Sequence, residues 1–355
     1  MTDAAVEERT CSTCGESCPG DANWCEACGS DLDAVAAAPK QPCVSCAAPA
    51  VEVTDDGWCQ VCGTKQPAPD DHVVADHGWF AVVSDRGRVH RTNEDAGAVA
   101  PRAAGVAMVV CDGVSSTAHS QHASQNAVRA IIDLIATARP AAIEQAILDA
   151  AKAAQVEIVG VTTRGAAEPP SCTMVSVVAD IDGANATINL GWLGDSRAYW
   201  LANGSATELT RDHSWAIEQT DLGELDQATI DADPRAHSIT RWLGADSQDV
   251  TPEQISMRVE LPGLLLVCSD GLWNYAPTET ELYDVVHRGA ADETALARAE
   301  RLVAFANEQG GHDNITVAIA ALRPTTDPSS NEPLPNAEAA ATINAADSAS
   351  PSHQE

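Results

Sequence analysis

Leu265-Leu-Val-Cys-Ser-Asp-Gly-Leu272 is the stretch on which the fold turns. An apolar run, Leu264–Cys268, stops abruptly at a polar turn that carries Asp270. Short apolar runs bounded by turn residues read as buried strands. The same pattern recurs outward from this point. Asp112 follows Val106–Cys111 and Asp195 follows Ala186–Leu193, while Asp95 and Asp313 precede Ala96–Ala100 and Ile315–Ala321. In an antiparallel sheet the end of one strand lies beside the start of its neighbour, so all five carboxylates are expected at one sheet edge. Carboxylates crowded together repel unless a cation sits between them. Hard divalent ions such as Mg²⁺ or Mn²⁺ prefer oxygen ligands. Any one Asp-Gly is an ordinary turn; the weight rests on five such aspartates in this order.

Helical spacing appears between the strands. Ala123, Ala127, Ala130, Ile131 and Leu134 predict a helix over His119–Arg139, broken from a second over Ala141–Val159 by Pro140. Leu296, Ala299, Leu302, Val303 and Ala306 predict a third over Asp292–Asn307. The more polar segment Asp212–Arg241 reads as an insertion over the sheet edge. Residues 324–355 contain no Lys or Arg and almost no large apolar side chain, so they are expected to form a disordered acidic tail.

The 355 residues leave room for one large and one small domain, and the charge is lopsided: Lys+Arg 20 against Asp+Glu 52, net −32. This balance argues against nucleic acid and anionic membranes as partners. No apolar segment approaches the roughly 20 residues needed to span a bilayer. The first nine residues lack the pattern of a signal peptide, and the expected location is cytoplasmic.

Nine of the 12 cysteines fall within residues 11–62. Cys11-x2-Cys14 pairs with Cys25-x2-Cys28, and Cys43-x2-Cys46 with Cys59-x2-Cys62. Two such knuckles place four thiolates around Zn²⁺, so the segment resembles tandem zinc ribbons holding two structural ions. Cys18 is spare. A disulfide module fits poorly without an export signal. Residues 1–70 hold 12 acidic and three basic side chains, which favours protein docking or a structural role over nucleic-acid binding.

The motifs Ser84-Asp-Arg-Gly-Arg-Val-His-Arg-Thr-Asn-Glu-Asp95, Val109-Val-Cys-Asp-Gly-Val114, Gly191-Trp-Leu-Gly-Asp-Ser-Arg-Ala-Tyr-Trp200, Leu209-Thr-Arg-Asp-His213, Ile239-Thr-Arg-Trp-Leu-Gly244, Leu265–Leu272 and His312-Asp-Asn-Ile-Thr-Val317 together resemble the metal-dependent protein phosphatases of type 2C, the PPM family, in its bacterial form. The resemblance implies an α+β fold, an αββα sandwich of two antiparallel sheets flanked by helices. The expected organisation is a zinc-ribbon module at 1–66, a linker at 67–78, a phosphatase domain at 79–323 and the tail. It further implies that Asp112 bridges two Mn²⁺ or Mg²⁺ ions, with the Gly113 carbonyl assisting at one. Asp270 and Asp313 would complete the other site, Glu94 and Asp95 would hold waters in the outer shell, and Asp195 with Asp270 would offer a weaker third site. His213–Thr240 would be a flap bordering substrate. A hydroxide activated between the two ions would hydrolyse phosphoserine and phosphothreonine in phosphorylated proteins without a phosphoenzyme. Cysteine chemistry is not expected: a Cys-x5-Arg loop is absent, since Thr117, Val178 and Asn274 stand six residues after Cys111, Cys172 and Cys268.

Three positions depart from the family pattern. His90 stands where an Arg usually grips the phosphate, with Arg91 and Arg88 nearby; Arg91 is the candidate replacement. Ser115-Ser116-Thr117 replace the usual Gly-Gly and read as a helix N-cap. Val114 leaves no leaving-group His. These departures keep a second reading open, that of a catalytically weak regulatory protein that binds phosphorylated partners.

Overall fold

Alternation fails in the apolar runs because both of their faces are covered. The computed structural model describes residues 8–10, 17–19, 41–54, 57–114, 120–162, 168–236 and 238–325. The chain divides into two compact units, Met1–Pro67 and Ala68–Glu355.

In the larger unit the strands are β1 His72–Asp76, β2 Phe80–Asp85, β3 Ala96–Arg102, β4 Gly105–Cys111, β5 Met174–Asp182, β6 Asn185–Leu193, β7 Arg197–Ala202, β8 Ser205–Glu208, β9 Glu253–Glu260, β10 Gly263–Cys268 and β11 Ile315–Leu322. They form two antiparallel sheets, ordered β8-β7-β10-β11-β2-β1 and β9-β6-β5-β4-β3. The helices are α1 Ser120–Thr137, α2 Ile143–Val161, α3 Trp215–Leu222, α4 Gln227–Ala232, α5 Asp270–Trp273, α6 Glu279–Val286 and α7 Ala295–Gln309.

Three apolar layers follow. Phe80, Val82, Met108, Val177, Ile188, Leu265 and Val267 fill the space between the sheets. Ile131, Ile135, Ile147 and Ala151 of α1 and α2 close the outer face of the five-stranded sheet against Ala98, Val109 and Val178. Leu282, Val286, Leu302 and Val303 of α6 and α7 close the six-stranded sheet against Val83, Leu266 and Ile319. The architecture is the expected αββα sandwich. All seven residues of β4 are buried because a sheet lies on one face and α1 on the other.

Local chemistry sets the helix ends. Pro140 opens a 3-10 turn between α1 and α2. Thr278 and Glu281 form a reciprocal capping box on α6. Thr294 accepts from the Ala297 N–H, so α7 starts at Ala295 rather than Asp292. Leu134, assigned to the buried face of α1, is 40% exposed; the stripe runs through Ile131, Ile132 and Ile135 instead.

Residues 72–76, expected to be linker, form β1, an edge strand paired with β2 from His72↔Asp85 to Asp76↔Ala81. Only Ala75 of β1 is buried, which is why its sequence lacks an apolar run. The segment Asp212–Arg241 lies between β8 and β9 and carries α3 and α4. Cys11, Cys14, Cys25 and Cys28, the expected N-cap Ser115-Ser116-Thr117 and residues 326–355 fall outside the described residues.

Candidate metal centre

The aspartates do not share one sheet edge. Asp112, Asp195 and Asp95 flank β4, β6 and β3 of one sheet, whereas Asp270 and Asp313 flank β10 and β11 of the other. They meet because the strands bearing them end on the same side of the sandwich. Asp112 feels the charges of Asp95, Asp270, Asp313 and Asp195.

Glycine lets the loops close in. A Cβ on Gly113 would fall 2.4 Å from the Glu94 carbonyl oxygen, and one on Gly271 would fall 1.9 Å from that of Asn314. Each Asp-Gly pair thus places a carboxylate where another chain segment presses against the backbone.

Buried polar side chains fix the loops. The Ser269 hydroxyl donates to Asp95 Oδ2 at 2.7 Å and accepts from the Thr316 N–H at 2.9 Å. Asn93 Oδ1 accepts from the Asp95 N–H at 3.3 Å. Asn314 Oδ1 accepts from the Glu94 N–H at 2.8 Å, and its Nδ2 donates to the carbonyls of Arg86 and Thr92. Thr173 Oγ1 accepts from the Asp112 N–H at 3.0 Å and bonds the Ser196 hydroxyl at 2.7 Å, linking the Asp112 and Asp195 loops. Trp273 Nε1 donates to the Asp195 carbonyl at 2.9 Å. Sequence reasoning had not singled out Thr173, Ser196 or Ser269. A hydroxyl inside or just after an apolar run was the available signal.

Electrostatically the site is short of positive charge. Burial, with the neighbouring carboxylates, pushes Asp95 up to about 7, Asp195 to about 8 and Asp270 to about 6, and holds Asp112 well above the carboxylate range. Asp270 Oδ1 and Glu94 Oε2 are buried without any hydrogen-bond partner. Unpaired buried anionic oxygens are costly, and a divalent cation relieves both the repulsion and the missing contacts. The donor set, all oxygen, fits Mg²⁺ or Mn²⁺.

Near the centre, His90 Nε2 lies 3.4 Å from Asp313 Oδ1. Arg91 is exposed. Arg86 lies 3.1 Å from Asp71 and donates to the His90 carbonyl. His213, at the start of the expected flap, is buried: its Nδ1 accepts from the Gly194 N–H at 3.1 Å and its Nε2 lies 3.2 Å from Glu253 Oε1.

In the smaller unit, the Sγ atoms of Cys43, Cys46, Cys59 and Cys62 all lie within 4.8 Å of one another. The pairs Cys43–Cys62 and Cys46–Cys59 are 3.6 and 3.7 Å apart. A tetrahedral Zn–S bond of about 2.3 Å gives an S–S edge of about 3.8 Å, so this set fits zinc. Gln66 Nε2 donates to Cys43 Sγ at 3.3 Å. Among the described residues no other group of three or more His, Cys, Asp or Glu brings its ligand atoms as close as this; the aspartate oxygens are spread more widely.

The chain belongs to the protein phosphatase 2C family, whose sequence profile matches residues 86–305. It is 30% identical over 251 residues to the serine/threonine phosphatase stp of Listeria monocytogenes, covering 66% of this chain and 92% of that protein. It is also 30% identical over 248 residues to the serine/threonine protein phosphatase PstP of Mycobacterium tuberculosis, covering 68% of this chain and 44% of that protein. Among solved structures, the M. tuberculosis phosphatase PstP/Ppp superposes with a TM-score of 0.55 at 25% identity over 71% of this chain and 99% of that one. The catalytic domain of PstP in complex with two manganese ions does so with a TM-score of 0.53 at 25% identity, over 71% and 99%. The family is metal-dependent and its neighbours share the two antiparallel sheets and flanking helices.

Proposed function

We propose that the chain is a metal-dependent phosphatase that removes phosphate from phosphoserine and phosphothreonine in proteins. The observation that carries this reading is the meeting of five aspartate-bearing loops from two sheets around the unpaired Asp270 Oδ1, in a chain of this family. Asp112 would hold both of two Mn²⁺ or Mg²⁺ ions, the Gly113 carbonyl would assist at one of them, Asp270 and Asp313 would complete the other, and Asp195 with Asp270 would offer a weaker third site. When bound, the ions neutralise phosphate oxygens and make a water nucleophilic at neutral pH.

The chain's own residues do the rest. Ser269 holds the Asp95 carboxylate, Asn93 accepts from the Asp95 N–H and Asn314 from the Glu94 N–H, and both carboxylates are assigned to orienting water at the centre. Thr173 keeps the Asp112 and Asp195 loops at a constant separation. Arg91, exposed beside the site, is assigned to the substrate phosphate. The flap His213–Thr240 borders the protein substrate. The test is hydrolysis of para-nitrophenyl phosphate and of a phosphothreonine peptide with Mn²⁺. Loss of activity in Asp112→Ala and Asp270→Ala is expected; equal rates in the wild type and both variants would overturn the assignment.

A regulatory protein that binds phosphorylated partners with little turnover is the second reading, favoured by the His90–Asp313 contact where the family places Arg. Metal binding without turnover in the same assay would select it. We assign structural zinc to Cys43, Cys46, Cys59 and Cys62, a second ion to Cys11, Cys14, Cys25 and Cys28, and a protein-docking role to the ribbons. Among the described residues no helix is long and apolar enough to cross a membrane. The eight described cysteines, all unbridged, suit a reducing cytoplasm.

A further inference from the structure

At the far end of the six-stranded sheet from the aspartates, a cavity of about 400 Å³ opens beside the start of β10, the end of β11 and the first turns of α7. β10 runs six residues, Gly263 to Cys268, before reaching Asp270. At roughly 3.4 Å per residue this separates the two sites by about 20 Å.

The walls have two characters. Pro262, Leu264, Tyr283 and Ala321, none of them fully buried, give it an apolar side. Arg298, Arg323 and Glu293 form the charged side. Arg298 is only 7% exposed, and the one hydrogen bond that its guanidinium makes among the described residues is Nε to Glu293 Oε2 at 3.3 Å. Glu293 is already matched by Arg301, whose Nε and Nη2 donate to its two oxygens at 2.9 and 2.8 Å and whose other contacts are the Val285 and Val286 carbonyls. The positive charge of Arg298 is therefore in surplus, and the exposed Arg323 adds a second. In a chain of net charge −32 this is a local inversion of sign. A guanidinium carries five N–H groups in a fork that matches carboxylate or phosphate, and those of Arg298 not spent on Glu293 have no acceptor among the described residues.

We propose that this cavity binds a small organic anion, its carboxylate or phosphate head on Arg298 and Arg323 and its short apolar body against Pro262, Leu264, Tyr283 and Ala321. The volume lies within the range of small-molecule sites, about 300–1,000 Å³. The site uses no residue of the metal centre and stands or falls apart from the phosphatase reading.

The experiment is calorimetric titration of the full-length protein in EDTA, where an anion cannot use divalent ions at the aspartates. Octanoate and hexyl phosphate are the probes and octanamide is the neutral control. Saturable one-site binding of at least one anion is expected, at least about tenfold tighter than octanamide. Arg298→Gln should weaken it about tenfold or more, and Arg323→Gln severalfold. Whichever anion binds more tightly identifies the preferred head group. Absence of saturable binding by both anions, equal binding by octanamide, or unchanged affinity in Arg323→Gln would overturn the proposal. Arg323 is exposed, so its variant decides the matter even if the buried Arg298 variant fails to fold.

Discussion

Replacing Asp270 with Asn should stabilise the metal-free protein and weaken its response to metal. Asp270 sits among Asp112, Asp313 and Asp195, with one oxygen buried and unpaired. Burial and the Asp313 charge raise it from 3.8 to about 6. A carboxyl whose folded pKa is raised binds its proton more tightly when folded. Its contribution is therefore favourable at low pH and is lost as pH rises from the unfolded value through the folded one, between about 4 and 6. The shift of about two units corresponds to roughly 3 kcal/mol at most. Solvent at the partly exposed side chain reduces this to about 1–2 kcal/mol. At roughly 2–4 °C per kcal/mol for a domain of this size, Asp270→Asn in EDTA at pH 7.5 should melt about 2–8 °C above the wild type, and the gap should close near pH 4. With Mn²⁺ at about a hundred times its dissociation constant, the wild type gains about 2.7 kcal/mol by mass action, whereas the variant has lost a ligand and gains less. The two melting curves should change order on adding metal. Thermal unfolding by circular dichroism, with EDTA and then Mn²⁺, reads this directly. If the variant melts below the wild type in EDTA, or if Mn²⁺ raises both equally, the charge-crowding argument fails.

Three further outcomes follow from the same geometry. His90→Arg places a bidentate cation where an imidazole now faces Asp313; a charge-assisted bond is worth about 1.5–3 kcal/mol, so KM for para-nitrophenyl phosphate should fall about tenfold or more, and an unchanged KM would remove this position from phosphate binding. His213 holds the Gly194 N–H through Nδ1; His213→Asn keeps an acceptor there and His213→Gln does not, so Gln should cost about 1–3 kcal/mol and raise amide exchange at Gly194, whereas Asn should retain both, and equal exchange in the two variants would refute the role. Elemental analysis of freshly reduced protein should find about two zinc ions, and Cys46→Ser should remove one of them; no zinc in the wild type would dismiss the ribbon reading.

Strand positions were legible because burial on both faces leaves unbroken apolar runs, as in Val106–Cys111 and Leu264–Cys268. The edge strand His72–Asp76 was not, because one buried residue in five leaves no pattern to read. Helix spans were legible from Ile131, Leu302 and their neighbours, but the start of α7 depended on the Thr294 cap, a single hydroxyl in a run of polar residues.

The aspartates show where local pattern stops. Each motif marks a strand end, and strand ends of either sheet look alike in sequence. Which sheet a strand joins depends on pairing between residues far apart, such as Val83 with Val317. One sheet edge was therefore the simplest reading of five strand-end carboxylates, and two sheets ending on one side is the arrangement found. The difference bears on chemistry. Carboxylates on one edge are spaced by the strand separation of about 4.8 Å and move together. Carboxylates from two sheets are spaced by packing, so the position of Asp112 relative to Asp270 depends on Met108, Val110, Leu265 and Val267 between the sheets. Interiors are close-packed and transmit strain. A cavity cut at Met108 should consequently shift the two halves of the metal centre relative to each other, with no ligand touched.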